Sequence, residues 1–288
     1  MAEEKLRVII DDARPPDMNM AIDEVLTRSM QIRGGSPFVR FYRWNPPSMS
    51  FGYFQPVERL IDRAAAAVAG IGVVRRQSGG KMVFHADEIT FSIGMPMSLL
   101  RDRAAGTVYF LGCFQSLMQP LIEALVAAGV PARFSGESEI ETGRSDRVHC
   151  YAAAAGHSIY AGERKLVGAA GIIRGDILTV HGSLPVNRTA FPSSLLSNPA
   201  RGVNGNDRLP EISVLSDFLS LQSVVALPEG IATCIASKFG LEMVHAGLCE
   251  VECREIDILS REKYSRLDWK TLDPASWEGK MDKGKSEE

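Results

Sequence analysis

The sequence from Arg75 to Ser92, RRQSGGKMVFHADEITFS, joins two arginines, a glycine pair and a histidine to a strand-like segment. Arg75 and Arg76 come just before a turn that contains Gly79 and Gly80. Paired glycines permit backbone conformations that other residues disfavour, and they let a ligand approach the main chain closely. Guanidinium groups beside such a turn are suited to an anionic or strongly polar group. On these residues alone, a ligand-binding turn and a plain hairpin with solvated arginines both remain open.

The segments before this stretch alternate between helical and extended patterns. Apolar residues at helical spacing predict a helix over 18–30, which Asp17 is placed to cap. The alternating residues 38–44 predict a strand, and 48–54 predict its partner. An alanine-rich helix is expected over 58–69.

A second informative block lies between Val148 and Val186. Hairpin turns at 161–164 and at Gly175-Asp176 separate four strand-like segments. The predicted meander places Lys165, a run of small residues and His181-Gly182-Ser183 on neighbouring strands.

Composition limits the classes of function. The chain has 288 residues, is 45% hydrophobic and carries a net charge of −3, so it predicts one or two globular domains with no broad surface for nucleic acid. Its five cysteines are an odd number without tight pairing, which favours a reducing, cytoplasmic location. We find no signal-type segment and expect no membrane span.

Taken together, the motifs resemble the biotin and lipoate protein ligase superfamily. A first segment is matched by Arg40, Tyr42, Trp44, Pro46 and Gly52, the second is the 75–92 stretch, and the third runs from Lys165 to Ser183. The resemblance implies an α/β (α+β) fold like the catalytic domain of class II synthetases and biotin protein ligases, with mixed, mostly antiparallel sheets and flanking helices. It implies one catalytic domain over 1–267, followed by a charged, disordered tail over 268–288.

Within the superfamily, the chain is most similar to the cysteine-dependent octanoyltransferases. Lys81 follows the glycine pair, and Cys150 stands at the separation from Ile159 at which those enzymes keep their nucleophile. The resemblance implies Cys150 and Lys165 as catalytic residues and no metal ligands. The implied substrate-binding residues are Arg75, Arg76, Gly79, Gly80, Lys81, His85, Gly168, Ala170, His181 and Gly182. Ala169 and Gly171 depart from the serine and glutamine that the family usually has there.

The implied reaction takes octanoyl-acyl carrier protein as donor. Cys150 would accept the acyl group as a thioester, so no ATP and no cofactor would be needed. The acceptor would be the lysine of a lipoyl-domain protein, either the glycine cleavage H protein or a dehydrogenase E2. Because acyl carrier proteins are acidic, a local basic patch is expected. Its members would be Arg43, Arg75, Arg76, Lys81, Arg164, Lys165 and Arg174.

Three other functions remain open at this point. An ATP-dependent lipoate-protein ligase would use ATP and magnesium and would not need Cys150. An amidotransferase would move a lipoyl or octanoyl group between two lipoyl domains, again through a cysteine. A non-catalytic relative would bind acyl groups or lipoyl domains without covalent capture, and Ala169, Gly171 and the alanines at 152–155 keep that alternative open.

Overall fold

Two β-sheets organise the chain. The computed structural model describes residues 4–101, 109–136, 158–197 and 211–283. Within them the strands are β1 Lys5–Arg14, β2 Phe38–Trp44, β3 Ser48–Phe51, β4 Gly72–Arg75, β5 Val83–His85, β6 Glu88–Pro96, β7 Ala132–Phe134, β8 Ile159–Ala161, β9 Arg164–Arg174, β10 Ile177–Pro185 and β11 Glu242–His245. The larger sheet has the order β11-β1-β2-β6-β10-β9-β8-β7, and the smaller sheet has the order β4-β3-β5.

Strand pairing is mixed and mostly antiparallel, as predicted. In the larger sheet β1 runs parallel to β11 and β2, whereas every pair from β2 to β7 is antiparallel. In the smaller sheet β3 is parallel to β4 and antiparallel to β5. The hairpin of β9 and β10 turns at Gly175, whose φ of 57° lies in the left-handed region that glycine adopts readily.

Helices cover both faces of the larger sheet. In the described residues they are α1 Pro16–Arg33, α2 Arg63–Val68, α3 Met97–Arg101, α4 Tyr109–Ala127, α5 Leu221–Phe239, α6 Glu250–Leu259 and α7 Ala275–Lys283. Apolar side chains of α4 and α5 form one buried cluster with the sheet, and those of α1 form another with its opposite face. A third cluster holds α2 and a 3-10 turn at Ser193–Leu195 against the smaller sheet.

Helix α4 is long and apolar enough, over Phe110–Ala127, to cross a membrane by length and composition, which the sequence analysis did not anticipate. However, 56% of that stretch is buried inside the protein. Phe114, Leu117 and Leu121 have no exposed surface and belong to the main core cluster. The helix continues through Pro120 without dividing. Its apolar character is therefore that of a core helix.

Several predicted helix boundaries differ from the structure. Helix α1 begins at Pro16, and Asp17 lies in its first turn instead of capping it. Proline suits this position because its fixed φ matches the helix and its missing N–H would have had no partner. The predicted helix over 58–69 is divided into a 3-10 turn at Val57–Arg59 and α2, because the Asp62 carboxylate caps α2 through the Ala65 N–H.

The C-terminal part of the chain contains more structure than the sequence predicted. Strand β11 ends at His245, and α6 starts at Glu250 and runs into a π-helix at Ser260–Tyr264. The disordered tail expected from residue 268 is ordered through residue 283. It forms a 3-10 turn at Trp269–Thr271 and then α7, and both Trp269 and Trp277 are buried against α1.

The turn over 77–82 of the smaller sheet faces strands β9 and β10 of the larger one. A Cβ atom on Gly80 would lie 3.5 Å from Ala170 Cβ on β9. The Ser78 hydroxyl lies 2.6 Å from His181 Nε2 on β10. These contacts bring the two blocks that were singled out in the sequence to a single location between the sheets.

Candidate active site

A cavity lies between the glycine turn and the larger sheet. Its empty space, including the open mouth, is about 410 Å³. Its walls are mostly apolar and come from six strands, helix α1 and the turn. The lining residues are Met20, Tyr42, Trp44, Ser50, Arg76, Gly80, Val83, His85, Thr90, Gly168, Ala169, Ala170, His181, Gly182 and Ser183.

The glycine turn packs so closely on β3 that a side chain is excluded. A Cβ atom on Gly52 would lie 2.0 Å from the Gly80 carbonyl oxygen. Gly80 itself has a φ of 87°, which is accessible mainly to glycine. The Tyr53 N–H donates to the Ser78 carbonyl, so the backbone after Gly52 also holds the turn in place. These glycines fix the shape of the cavity mouth.

Arg75 does not reach the cavity. Its guanidinium donates to the carbonyl oxygens of Leu267, Tyr53 and Gln55 at 2.6–2.8 Å, and to that of Gly52 at 3.3 Å. The side chain is 2% exposed. Arg75 thus joins β4 to the turn after β3 and to the C-terminal segment, and it is not among the residues that line the described cavity.

Arg76 lines the cavity, but it also holds the glycine turn. Its Nη1 donates to the carbonyl oxygen of Ser50 at 2.6 Å and to the Ser50 hydroxyl at 2.8 Å. Its Nη2 donates to the carbonyls of Gly79 and Lys81 at 3.1 and 2.9 Å. The positive charge therefore lies at the cavity wall, while the Nη donors bind three main-chain carbonyls and the Ser50 hydroxyl.

His85 is the centre of a buried polar chain. Its Nδ1 lies 2.6 Å from Glu88 Oε1, and its Nε2 lies 2.6 Å from the Ser50 hydroxyl. The Trp44 ring stacks on the imidazole, with centroids 4.0 Å apart and planes 13° apart. Burial acts to raise the pKa of the Glu88 carboxyl, but interaction with His85 and hydrogen bonds from His85, Ser183 and Thr90 lower that pKa below its ordinary value.

His181 is held neutral between the two sheets. Burial, together with the nearby Arg76 and His85, lowers the pKa of His181 to about 3. Its Nε2 bonds to the Ser78 hydroxyl, which fixes the orientation of the ring. At neutral pH this imidazole acts as a hydrogen-bonding group and not as a cation.

The structure brings most of the predicted binding residues together. Those that line the cavity are Arg76, Gly80, His85, Gly168, Ala170, His181 and Gly182. Among the described residues, the cavity lining does not include Arg75, Gly79 or Lys81. Gly79 and Lys81 instead contribute the backbone carbonyls that accept hydrogen bonds from Arg76.

Of the two predicted catalytic residues, the structure describes Lys165 and not Cys150. Lys165 lies on β9, three residues before Gly168, and is 6% exposed. It is not part of the described cavity wall, and its carbonyl accepts from the Ser213 N–H. Cys150 falls within 137–157, outside the described residues. No group of metal-ligating side chains occurs in the part of the chain that the structure describes.

The expected basic patch is smaller than the sequence indicated. Arg75, Arg76 and Lys165 are buried, so they cannot present charge to a partner. Arg43 and Arg164 are exposed, yet they pair with Asp87 at 3.8 Å and with Glu211 at 2.6 Å. Arg174, at the β9–β10 turn, is also exposed.

Sequence reasoning missed several cavity residues. Ser50 and Thr90 contribute hydroxyl groups, and Trp44 contributes a ring that stacks on His85. The contact between His85 and Glu88 could have been predicted from the sequence, because the two residues are three positions apart on either side of a tight turn. The small polar side chain of Ser50 in an otherwise apolar strand was a second signal.

Comparison with known proteins assigns the chain to a family. The family model described as the lipoyl protein ligase A/B catalytic domain matches residues 15–217. The chain is 29% identical to octanoyltransferase LipM of Symbiobacterium thermophilum and 28% identical to that of Moorella thermoacetica, in each case over 93% of this chain and 98% of the relative.

The fold is also similar to solved structures. A bi-partite lipoate protein ligase with its E2 lipoyl domain from Thermoplasma acidophilum superposes with a TM-score of 0.72 at 22% identity, covering 92% of this chain and 96% of that one. This likeness confirms the predicted fold class. The family model, which matches well over half of the residues, shows that the chain belongs to the lipoyl protein ligase A/B catalytic domain family.

Proposed function

We propose that this protein is an octanoyltransferase of lipoate biosynthesis, which moves an octanoyl group from octanoyl-acyl carrier protein to the lysine of a lipoyl domain. Family membership supports a reaction on lipoyl domains. The relatives that align along nearly the whole chain carry the name octanoyltransferase. Acyl transfer from a thioester donor needs no ATP, because the thioester is already activated toward a nucleophile.

The observation that best supports transfer over ATP-dependent ligation is the bonding of the two arginines. Phosphate groups are usually held by arginine side chains and by free backbone N–H groups at glycine turns. Arg75 donates to four backbone carbonyls, and Arg76 donates to three carbonyls and a hydroxyl. A nucleotide phosphate would have to displace these buried hydrogen bonds.

The cavity suits an acyl chain. Small residues at Gly168, Ala169 and Ala170 leave space on the β9 side, and Val83 and Met20 add apolar walls. Each CH₂ group transferred from water to such a wall contributes about 0.8 kcal/mol. An octanoyl group has enough methylenes to bind firmly without any charged contact.

The covalent step is assigned to Cys150. A thiolate attacks the donor thioester, the thiol of the carrier protein leaves, and the octanoyl group becomes a thioester of the enzyme. The amine of the lipoyl-domain lysine then attacks, which gives an amide and returns the thiol. A nearby cation favours the thiolate, and Lys165 is the candidate that the family resemblance supplies.

Two partners follow from this reaction. The donor is octanoyl-acyl carrier protein, and the acceptor is the glycine cleavage H protein or the lipoyl domain of a dehydrogenase E2. Both steps fit a cytoplasmic enzyme, because a catalytic thiol needs a reducing compartment.

The decisive experiment is intact-protein mass spectrometry after mixing with octanoyl-acyl carrier protein without ATP. The parent should gain one octanoyl group that hydroxylamine removes, and a lipoyl domain should then clear it. Cys150→Ala should gain none, whereas Cys253→Ala, which removes an exposed cysteine on α6, should behave as the parent.

Two results would contradict the proposal. If the lipoyl domain is modified only when lipoate and ATP are supplied, and Cys150→Ala does not matter, then the protein is a ligase. If the octanoyl group comes from another lipoyl domain and never from the carrier protein, then it is an amidotransferase.

A further inference from the structure

We propose that Ser50, His85 and Glu88 form a second acyl-accepting centre, which hydrolyses acyl esters that enter the cavity and does not use Cys150. The geometry of these three side chains supports such a centre whether or not the protein also carries out the transfer reaction proposed above. The class of substrate is an ester or thioester with an unbranched acyl group.

The three side chains have the order and spacing of a nucleophile, a base and an orienting acid. Ser50 Oγ lies 2.6 Å from His85 Nε2, and His85 Nδ1 lies 2.6 Å from Glu88 Oε1. An ionised carboxylate can only accept a hydrogen bond, so Nδ1 carries the proton and Nε2 is left to accept from the serine hydroxyl. This is the arrangement that activates a serine in hydrolases on many unrelated folds.

The acid of this set is firmly held in its ionised form. Besides His85, the Glu88 carboxylate accepts from the Thr90 hydroxyl at 2.5 Å and from the Ser183 hydroxyl. Thr90 is in turn held by the Trp44 indole N–H at 2.7 Å. The side chain of Glu88 is 4% exposed. A buried carboxylate with several donors can stabilise the imidazolium that forms when the serine loses its proton.

Arg76 supplies positive charge next to the serine oxygen. Its Nη1 donates to Ser50 Oγ at 2.8 Å, so a positive charge lies close to the place where an oxyanion would form on a carbonyl attacked by Ser50. Donors fixed in a dry site stabilise such an oxyanion more strongly than donors in water. The same charge favours the alkoxide character of Oγ as its proton moves to His85.

Among the residues that the structure describes, Ser50 is reached through the cavity. Ser50 and His85 both line the cavity wall, while Ser50 has 0% and His85 4% of its surface exposed. The apolar wall formed by Met20, Val83 and Ala170 favours unbranched acyl groups over bulky or charged ones. We therefore expect straight-chain esters to react, and branched esters to be excluded.

The reaction balances without a further reactant. Ser50 Oγ bonds to the acyl carbon as its proton passes to His85 Nε2, and the alcohol or thiol leaves with that proton. Water then attacks the acyl-serine, giving its proton to His85, and the acid leaves as Ser50 recovers its hydrogen. The sum is one water consumed for each ester cleaved.

The test uses the full-length Cys150→Ala protein, which removes the thiol expected to accept acyl groups. It should hydrolyse p-nitrophenyl butyrate and octanoate above the buffer rate. Adding His85→Gln or Ser50→Ala should lower that rate about 100-fold, the effect typical of a lost base or nucleophile. Ser48→Ala is the matched control, because Ser48 lies on the same strand, is equally buried and donates its hydroxyl to the Pro46 carbonyl.

A second measurement does not depend on whether Ser50→Ala folds. A fluorophosphonate should add once to the Cys150→Ala protein, and peptide mapping should place the adduct on Ser50. Hydrolysis at the buffer rate with no adduct would overturn the proposal, as would an adduct on any other serine. Octanoyl transfer to a lipoyl domain, measured separately on the parent, reports on the other reaction.

Discussion

The Lys263 ammonium lies 2.7 Å from Glu24 Oε2 and 2.9 Å from Oε1, joining residues that are 239 positions apart in the chain. Both side chains are about 95% buried. The next residue, Tyr264, donates to the same carboxylate at 2.5 Å and accepts from the Gln77 amide at 2.7 Å. This pair therefore connects the C-terminal segment to helix α1 and, through Tyr264, to the glycine turn of the site.

Breaking this pair should destabilise the protein strongly. Lys263→Met leaves a buried Glu24 carboxylate without its main partner. Losing one member of a buried pair typically costs 3–5 kcal/mol of stability, and we expect a loss of about that size here. The double variant Glu24→Gln with Lys263→Met should recover part of that loss because no charge is then left unpaired. Urea denaturation at pH 7 measures both.

The surface pair Lys280 with Glu262 is the matched control. Its atoms approach to 2.7 Å as well, but both side chains are about half exposed. Exposed pairs contribute roughly 0–1 kcal/mol, so Lys280→Met should change the free energy of unfolding by less than about 1 kcal/mol. If the two lysine substitutions lower the free energy of unfolding equally, then the burial of the Lys263 pair does not add to its contribution to stability.

Gly52→Ala should disrupt the site by displacing the glycine turn. A Cβ atom at this position would lie 2.0 Å from the Gly80 carbonyl oxygen and 3.0 Å from the Gly79 carbonyl carbon, and backbone cannot move as cheaply as a side chain. We expect a loss of about 2–3 kcal/mol in stability, in the range of overpacked cores, and a larger fractional loss in octanoyl transfer.

The control for this change is Gly230→Ala on helix α5. A Cβ atom at Gly230 meets no atom within 4 Å, and alanine is preferred over glycine in helices by about 0.5–1 kcal/mol. This variant should be slightly more stable and fully active. If Gly52→Ala were equally harmless, the close packing of β3 on the turn would not fix the cavity mouth.

The sequence predicted the location of the site better than its contacts. The motif over 75–92 placed Gly80 and His85 at the site because glycine pairs and adjacent strands impose local geometry. What Arg75 binds depends on Leu267, which lies 192 residues away, and no local pattern encodes that contact. Ser50 reaches His85 only through pairing of β3 with β5, so its role required the register of the small sheet.

The C-terminal segment shows why the remaining boundaries were wrong. The stretch from 268 onward is rich in charge, which usually indicates a solvated tail. Trp269 and Trp277 nevertheless bury their rings, and Trp269 lies 4.4 Å from the Lys263 ammonium. Trp269, Trp277 and Met281 all belong to the apolar cluster that includes α1. A mostly polar segment can dock in this way because it needs only a narrow apolar face.

Gly171 departs from the glutamine usual in the family, and the structure gives a reason. A Cβ atom there would lie 3.2–3.3 Å from the rings of Phe114 and Phe110 on α4. We expect Gly171→Gln to cost about 1–3 kcal/mol through overpacking. Phe114→Ala should also be destabilising alone, yet the two changes together should lose less than the sum of the single losses.

Thermal and urea denaturation of the two single variants and the double variant test this coupling. Gly171→Gln with Phe114→Ala should show an interaction energy of at least about 0.5 kcal/mol in the favourable direction. Strict additivity would mean that the ring of Phe114 does not limit the residue at 171. The glycine would then have no packing explanation.

His181 predicts how stability changes with pH. Its pKa is about 3 in the folded protein and about 6.5 in an unfolded chain, so below pH 6.5 the unfolded state binds a proton that the folded state does not. Stability from this group is fully present above pH 6.5 and falls as the pH is lowered, by about 2 kcal/mol between pH 7 and pH 5. Glu88 does not contribute in that window because its pKa is lowered from 4.5.

The measurement is the free energy of unfolding at pH 7, 6 and 5 for the parent and for His181→Asn. The variant should be less stable at pH 7, because Ser78 loses its partner, but its stability should fall less steeply on acidification. The difference between the two slopes isolates His181 from the remaining histidines, since those are shared. Parallel slopes would mean that His181 takes up a proton equally in both states, in conflict with an imidazole held neutral between Arg76 and His85.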